Sequence, residues 1–498
     1  MLLRYNSHTD REMMLRRRAL LKYIAIGGAL ALVGNVIPSG SSFDLMTEVY
    51  GEYAPAISVR QSNSDAYELI TQALAEGQTK IHLPAGIYSC SQQIDIYQPN
   101  VEIYGDGSSG SNRTQIRLND GVGLSGPKAG DVSVFSFYGP GATTNNPNSG
   151  ADNFNIHDLE IDGNSANNFF QGNPGTPTVM DGIVSWNCNG GLVENCYIHD
   201  CRFMGIHVNI GSNCTVQNNT VNNSGANGIA IGNAVNNSQR GRGSGHQVLN
   251  NSVNGASDVG ISVWEGIGTL VQGNTVQDIT MGVSPYQQNT CDGLLFEGTN
   301  PCSDVTFSNN TVSNISYPNG ALYKGLGIGG GPDGSSNIQF LNNTIENVYS
   351  AMRFVSDVTG LVVTGNSVNG TTGTTQPLVT VATNKRGNAP SDADFEQNTL
   401  AGMPSDMSSA IVVLVAGSGK FINNTIYANG NVPIRVIPAA ATDWITTPND
   451  ISNATNTASI TNTTTTNTST SVPEFSDLAT VLLSTLAASV YALKRRRR

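Results

Sequence analysis

"VQNNTVNNSGANGIAIG", residues 216–232, holds two phrases that return through half of the chain. Aligned on the second phrase, the copies are Gly182-Ile-Val-Ser, Gly205-Ile-His-Val, Gly228-Ile-Ala-Ile, Gly260-Ile-Ser-Val and Gly293-Leu-Leu-Phe. Weaker copies follow at Gly325-Leu-Gly-Ile, Ala351-Met-Arg-Phe and Ala410-Ile-Val-Val. The first phrase keeps step at Asn195, Asn219, Asn251, Asn274, Asn310, Asn343, Asn366, Asn398 and Asn424. Successive Gly-Ile copies lie 23, 23, 32, 33, 32 and 26 residues apart. A shortest repeat of that size, with loop-sized insertions, fits one coil of a solenoid better than a propeller blade or a helical repeat.

Within each copy the apolar residues alternate, as strands require. Ile229 and Ile231 should point inward, Ala230 and Gly232 outward. Stacked coils set like residue over like at about 4.8 Å. An Asn at an inward bend then passes amide hydrogen bonds up the stack, so a buried polar row is satisfied by its own copies. Each coil is the template for the next, and the words repeat for that reason.

Upstream, "SDAYELITQALAEGQTKIHLPAGIYSCSQQIDI" reads as a Ser64-capped amphipathic helix over residues 65–76, placed to close the N-terminal end of the stack. Leu83-Pro-Ala-Gly-Ile-Tyr and Val101-Glu-Ile-Tyr-Gly-Asp-Gly follow it. With these phrases the chain resembles the right-handed parallel β-helices of the pectate-lyase-like superfamily over residues 60–440. The resemblance implies an all-β solenoid of about twelve coils. It does not fix an activity, because the fold hosts lyases, hydrolases, epimerases and inert surface proteins.

In that superfamily sugar chains lie along the outside of one sheet. Taking the Gly-Ile strand as that sheet, the outward positions are the residue before the Gly and those two and four after it. The first reads Asp181, Met204, Asn227, Val259, Asp292, Lys324 and Ser350. The second reads Val184, His207, Ala230, Ser262, Leu295, Gly327 and Arg353, and the third Trp186, Asn209, Gly232, Trp264, Glu297, Gly329 and Val355. Trp186 and Trp264 offer flat platforms for sugar faces, with Asp181 beside them. Asp258 and Asp292, one coil apart, suit a calcium ion or a carboxylate pair. Lys324 or Arg353 is then placed to take a proton beside a uronate carboxylate. His207 has outward exposure and Asp181 one coil below. Glu297 and Glu265 form a spare carboxylate pair. The plainer expectation for Asp292 and Lys324 is a routine cross-strand ion pair. No Gly-His-Gly or Asn-Thr-Asp phrase of the polygalacturonase-like hydrolases is present.

Composition agrees with a turn-rich β body: Gly 55, hydrophobics 38% and charged residues only 12%. The net charge is −12, and eleven of the 25 basic residues crowd into residues 1–22 and 494–498, which leaves the body more acidic still. Such a body excludes nucleic acid as a partner. Seven Cys permit up to three disulfides, with no readable connectivity, and no Cys/His spacing suits zinc.

The two ends carry addresses. Arg17-Arg18-Ala19-Leu20-Leu21-Lys22 and the apolar run after it resemble a twin-arginine export signal over residues 1–42, read by a twin-arginine translocase. A Thr/Asn-rich stalk (442–471) precedes Pro473-Glu474-Phe475, an apolar run and an Arg cluster (472–498). The last three together resemble the archaeal PEF sorting signal, which implies an exosortase-like processing enzyme. The expectation is a monomeric protein outside the cell, tethered by its C-terminus and acting on a polysaccharide or surface glycan as a lyase or hydrolase. The alternative is a non-catalytic adhesive β-helix.

Overall fold

The computed structural model describes residues 57–58 and 64–452, apart from 123–131, 142–149, 169–179, 233–242, 281–290, 317–325, 372–375, 385, 404–409 and 437–442. The export segment, Lys324, residues 453–471 of the stalk and the sorting segment lie outside the described residues. No helix among the described residues is long and apolar enough to cross a membrane.

The repeat folds into three parallel sheets of 15, 12 and 13 strands. One coil supplies one strand to each. The coil of the opening phrase gives Thr215–Gln217 to sheet A, Thr220–Asn222 to sheet B and Ile229–Gly232 to sheet C. Each strand pairs in parallel with its counterparts one coil away, as Ile229 does with Ile206 and Ile261. The architecture is a parallel β-helix, as the repeat predicted. Its strands run on to Asp450–Ser452, past the expected end at 440.

The interior is a set of like-on-like stacks. In sheet A the register places Val216, Val248, Val271, Phe307 and Phe340 in one buried column. The Phe307 and Phe340 rings stack at 4.7 Å, tilted by only 3°. The Gly of each Gly-Ile phrase is forced by this packing. A Cβ on Gly228 would lie 2.3 Å from Cγ1 of Val253 across the core.

The bend between sheets A and B explains the Asn-Asn pairs. The first Asn takes the left-handed conformation, as Asn218 (φ 56°), Asn250 (φ 54°) and Asn309 (φ 54°) do. Asn tolerates that region because its short side chain bonds locally. The second Asn turns inward and is buried, and the chain of amides runs from Asn219 through Asn251, Asn274, Asn310, Asn343, Asn366, Asn398 and Asn424 to Asn449. Asn195 is a correction to the expected row. It holds φ 53°, and the next residue, Cys196, occupies the inward place and donates its N–H to Asn219 Oδ1 at 3.0 Å.

The N-terminal helix spans Ala66–Ala75, packs against the strands Gly86–Cys90 and Ile94–Ile96, and buries Ala66, Ile70, Ala73 and Leu74. Its cap is Asp65, not Ser64: the Asp65 carboxylate accepts from the N–H of Tyr67 at 2.9 Å. A second bond to the same oxygen from Ser91 N–H, at 3.2 Å, ties the helix start to the first coil. All seven cysteines are buried free thiols, so the disulfides the sequence permitted are not formed.

Candidate active site on the outer face of sheet C

Sheet C carries the expected outward columns, with two changes. Pairing of Leu294 with Ile328 and of Gly329 with Arg353 puts Gly327 where the alignment had Gly325. The phrase Gly325-Leu-Gly-Ile offers two glycines, and the strand uses the second. Leu326, which pairs with Ser350, therefore follows Asp292 in its column. Lys324 falls two residues before that place and outside the described residues.

The second change is burial. Asp181 is 1% exposed, His207 2%, Asp292 3% and Arg353 5%. His207 points outward as expected but is not exposed. The outer side has apolar clusters of its own: Met204, Ala226 and Ala230 pack with Phe203 and Trp264, and Val259 packs with Leu295. The face reaches solvent along the last column instead, where Tyr138, Trp186, Trp264 and Glu297 are half-buried.

Glu297 lies beside a hydrogen-bonded group. Ser262 Oγ accepts from Asn227 Nδ2 at 2.7 Å and from Trp264 Nε1 at 2.9 Å. Both Ser262 and Trp264 stand close enough to act on the Glu297 carboxyl. The second carboxyl oxygen, Glu297 Oε1, is buried with no hydrogen-bond partner. Burial holds the Glu297 carboxyl well above the usual carboxylate range. The negative charges of Asp258 and Asp292 push it further, against the two hydrogen bonds. Asp258 and Asp292 sit on adjacent coils, joined by Asp292 N–H to the Asp258 carbonyl at 2.8 Å.

Glu265 does not share this face. It holds φ 52° at the strand exit, and its carboxylate accepts from Thr299 N–H, Thr299 Oγ1, Asn300 N–H and Asn300 Nδ2 at 2.8–3.1 Å. It braces a turn, and the pair expected with Glu297 is not made. Arg353 keeps its outward place, and Gly329 one coil before it leaves the column open toward Leu295.

His207 and Asp181 do meet, Nδ1 to Oδ2 at 3.2 Å, with Asp181 Oδ1 accepting from Met204 N–H at 3.0 Å. Trp186 lies across the His207 ring, 5.8 Å between centroids and tilted 59°. Asn227 and Ser262 are members of this group that sequence reasoning passed over. Each stands next to an apolar residue in its column, Asn227 between Met204 and Val259 and Ser262 between Ala230 and Leu295, and that contrast was the available signal.

Among the described residues the group gathered closely enough to share a metal ion is Asp162, His199 and Asp200 on sheet B. Its groups are already engaged: Asp162 by Arg117 at 3.2 Å, His199 by Asp200 at 2.7 Å and Glu160 at 3.2 Å. Asp258 and Asp292 offer a hard cation two carboxylates, which fits calcium only with further oxygens from water or substrate.

The family model for "Right handed beta helix region" matches residues 181–368. No curated protein matches the sequence. Among solved structures, the catalytic domain of a GH87 alpha-1,3-glucanase in complex with nigerose is 13% identical, with a TM-score of 0.51 over 86% of this chain and 71% of that one. The Dettilon tailspike protein is 15% identical, with a TM-score of 0.51 over 78% and 69%. At such identities the likeness is one of fold: a right-handed parallel β-helix.

Proposed function

We propose that this chain cleaves a polysaccharide bound along the outside of sheet C, by hydrolysis, with Glu297 as the general acid. The observation that carries the reading is the setting of Glu297: Oε1 is buried without a hydrogen-bond partner, and burial together with the charges of Asp258 and Asp292 favours the protonated form. A carboxylic acid kept protonated above its ordinary range is what protonation of a departing glycosidic oxygen needs. Asp258 and Asp292 are the carboxylates left to orient the attacking water or to face the positive charge that develops on the sugar ring. Trp264 offers an apolar ring beside the bond to be broken. A calcium ion held by Asp258 and Asp292 would supply positive charge there, and the acid role of Glu297 does not depend on it.

The alternative lyase chemistry needs a basic side chain at the same spot. Arg353, two coils beyond Leu295, is the described candidate. The sequence of the two ends supports work outside the cell, after passage through a twin-arginine translocase and processing by an exosortase-like enzyme. An Arg17→Lys/Arg18→Lys chain should then fail to leave the cell, and normal surface levels would remove that part.

The test is release of reducing ends from a panel of neutral and acidic polysaccharides. Glu297→Gln should lower turnover by about 10²- to 10⁴-fold, with no absorbance from unsaturated products in the wild type. Unsaturated products, full activity in Glu297→Gln, or silence of the wild type on every polymer would overturn the reading.

A further inference from the structure

We propose that His207, Asn209 and Trp186 form a distal sugar subsite that takes a neutral residue by its vicinal hydroxyls, so that the substrate is a neutral polysaccharide rather than a polyuronate. The inference rests on the reading of this face as a polysaccharide site and goes on to name the substrate class.

His207 and Asn209 stand two apart on one strand, hence on one face, in register with Val184 and Trp186 of the preceding coil. Asp181 takes the Nδ1 side of the His207 ring and is itself fixed by Met204 N–H, so the ring orientation is set from beneath. The opposite edge, His207 Nε2, is buried and has no partner, and Asn209 Oδ1 is in the same condition. With Nδ1 engaged by Asp181, Nε2 is the ring atom left without a partner. Two unmet polar atoms on neighbouring outward positions are costly when buried, and a ligand with two adjacent hydroxyls, each both donor and acceptor, relieves both. The adjacent hydroxyls of a sugar ring are such a pair. A uronate carries the same ring hydroxyls, but its carboxylate would set a second negative charge beside Asp181.

The next coil sets only small residues, Ala230 and Gly232, beside His207 and Asn209, with Trp264 packed against Ala230. Gly232 holds φ +105°, and a Cβ there would lie 1.9 Å from the Trp264 carbonyl oxygen, so no larger side chain fits at that place. Trp186 and Trp264 come from strands three coils apart, roughly 14 Å at the usual strand spacing. His207 is likewise three coils from the strand of Glu297, again roughly 14 Å. An extended pyranose chain advances about one coil per residue, so the subsite lies about three sugars from the bond that Glu297 protonates.

The experiment is calorimetric titration of full-length Glu297→Gln protein with linear gluco-, manno- and galacto-hexaoses, their trisaccharides, and hexagalacturonate. At least one neutral hexaose should bind, at least tenfold more tightly than hexagalacturonate. Adding Asn209→Ala should weaken that hexaose by about tenfold, one neutral hydrogen bond's share, and leave the matching trisaccharide unchanged. Trp186→Ala, at the half-buried rim, should act in the same direction. Hexagalacturonate binding as tightly as the best neutral hexaose, an Asn209→Ala protein with unchanged hexaose affinity, or no binding by any hexaose would overturn the proposal. Binding is read without turnover. A wild type that binds in this pattern but cleaves nothing would defeat the hydrolase reading and leave the subsite standing. Cleavage through Glu297 without the pattern would do the reverse.

Discussion

Asn274 donates twice to the same atom of Asn310: its backbone N–H and its Nδ2 both reach Asn310 Oδ1, each at 2.9 Å. Asn310 repeats the move one coil on, to Asn343 Oδ1 at 3.0 and 2.9 Å, and its Nδ2 also donates to the Val271 carbonyl at 3.0 Å. Every amide is donor and acceptor at once, so a buried polar row runs through an apolar core with its hydrogen bonds met.

This arrangement separates two neighbours in sequence. Asn310→Asp keeps an acceptor for Asn274 but sets an oxygen against the Val271 carbonyl and Asn343 Oδ1, which both lose the Asn310 Nδ2 donor in a buried place. The cost should be about 3 kcal/mol. Asn309→Asp changes an exposed bend residue at φ 54°, which Asp also adopts, and should stay within about 0.5 kcal/mol. Denaturation midpoints of the two variants check it, and equal midpoints would remove the ladder as a source of stability.

The solenoid was legible because like stacks on like: the alternation in Ile229-Ala230-Ile231 and the Asn-Asn pairs state their own register. The slips occurred where a copy is ambiguous. Glu194-Asn195-Cys196 offers a single Asn, and that Asn took the bend while Cys196 went inward. Gly325-Leu-Gly-Ile offers two glycines, and the second lies over Gly293. The site was less legible because it is made laterally. Asn227, Ser262 and Glu297 come from three coils, each more than thirty residues from the next, and no local pattern says that Ser262 joins them. Nor does alternation reveal that an outward column is buried, since Met204, Ala226 and Trp264 cover it from separate coils.

The thiols give a second prediction. Burial pushes Cys90, Cys196 and Cys302 up to about 12 and Cys214 up to about 11, and lifts Cys188 and Cys201 as well. A thiol that stays protonated and covered is inert toward disulfide reagents. The native protein should therefore release almost no thionitrobenzoate from Ellman's reagent at pH 8, and seven equivalents after unfolding in guanidinium. Fewer than seven in the unfolded, unreduced chain would mean that disulfides form.

His246 sets an acid limit on stability. It is fully buried, its Nδ1 accepts from Cys214 N–H at 3.2 Å, and Nε2 has no partner. Burial lowers its pKa from 6.5 to about 4, against two backbone hydrogen bonds. The unfolded chain thus binds the proton more readily, so this contribution is intact above about pH 6.5 and is lost as pH falls toward 4. The shift corresponds to about 3 kcal/mol. Wild type should lose that much more stability than His246→Gln between pH 6.5 and 4. Parallel pH profiles would show that the imidazole does not couple to folding.

Glu297 has the opposite sign, and it ties stability to the proposed chemistry. Its folded pKa lies above the unfolded value because burial and the charges of Asp258 and Asp292 disfavour the carboxylate. The folded state therefore binds the extra proton, and stability falls as pH rises from about 4.5 through the raised value. Glu297→Gln keeps the size of the side chain and a carbonyl oxygen beside Ser262 and Trp264, and it removes the ionisable group altogether. Its melting temperature should match or exceed that of the wild type at low pH, with an advantage that grows as pH rises, while cleavage is lost. That combination is expected of a residue held in an unfavourable state for the sake of chemistry. A Glu297→Gln protein less stable than wild type at every pH would mark the residue as a packing element of sheet C, and the acid would have to be sought elsewhere on the face.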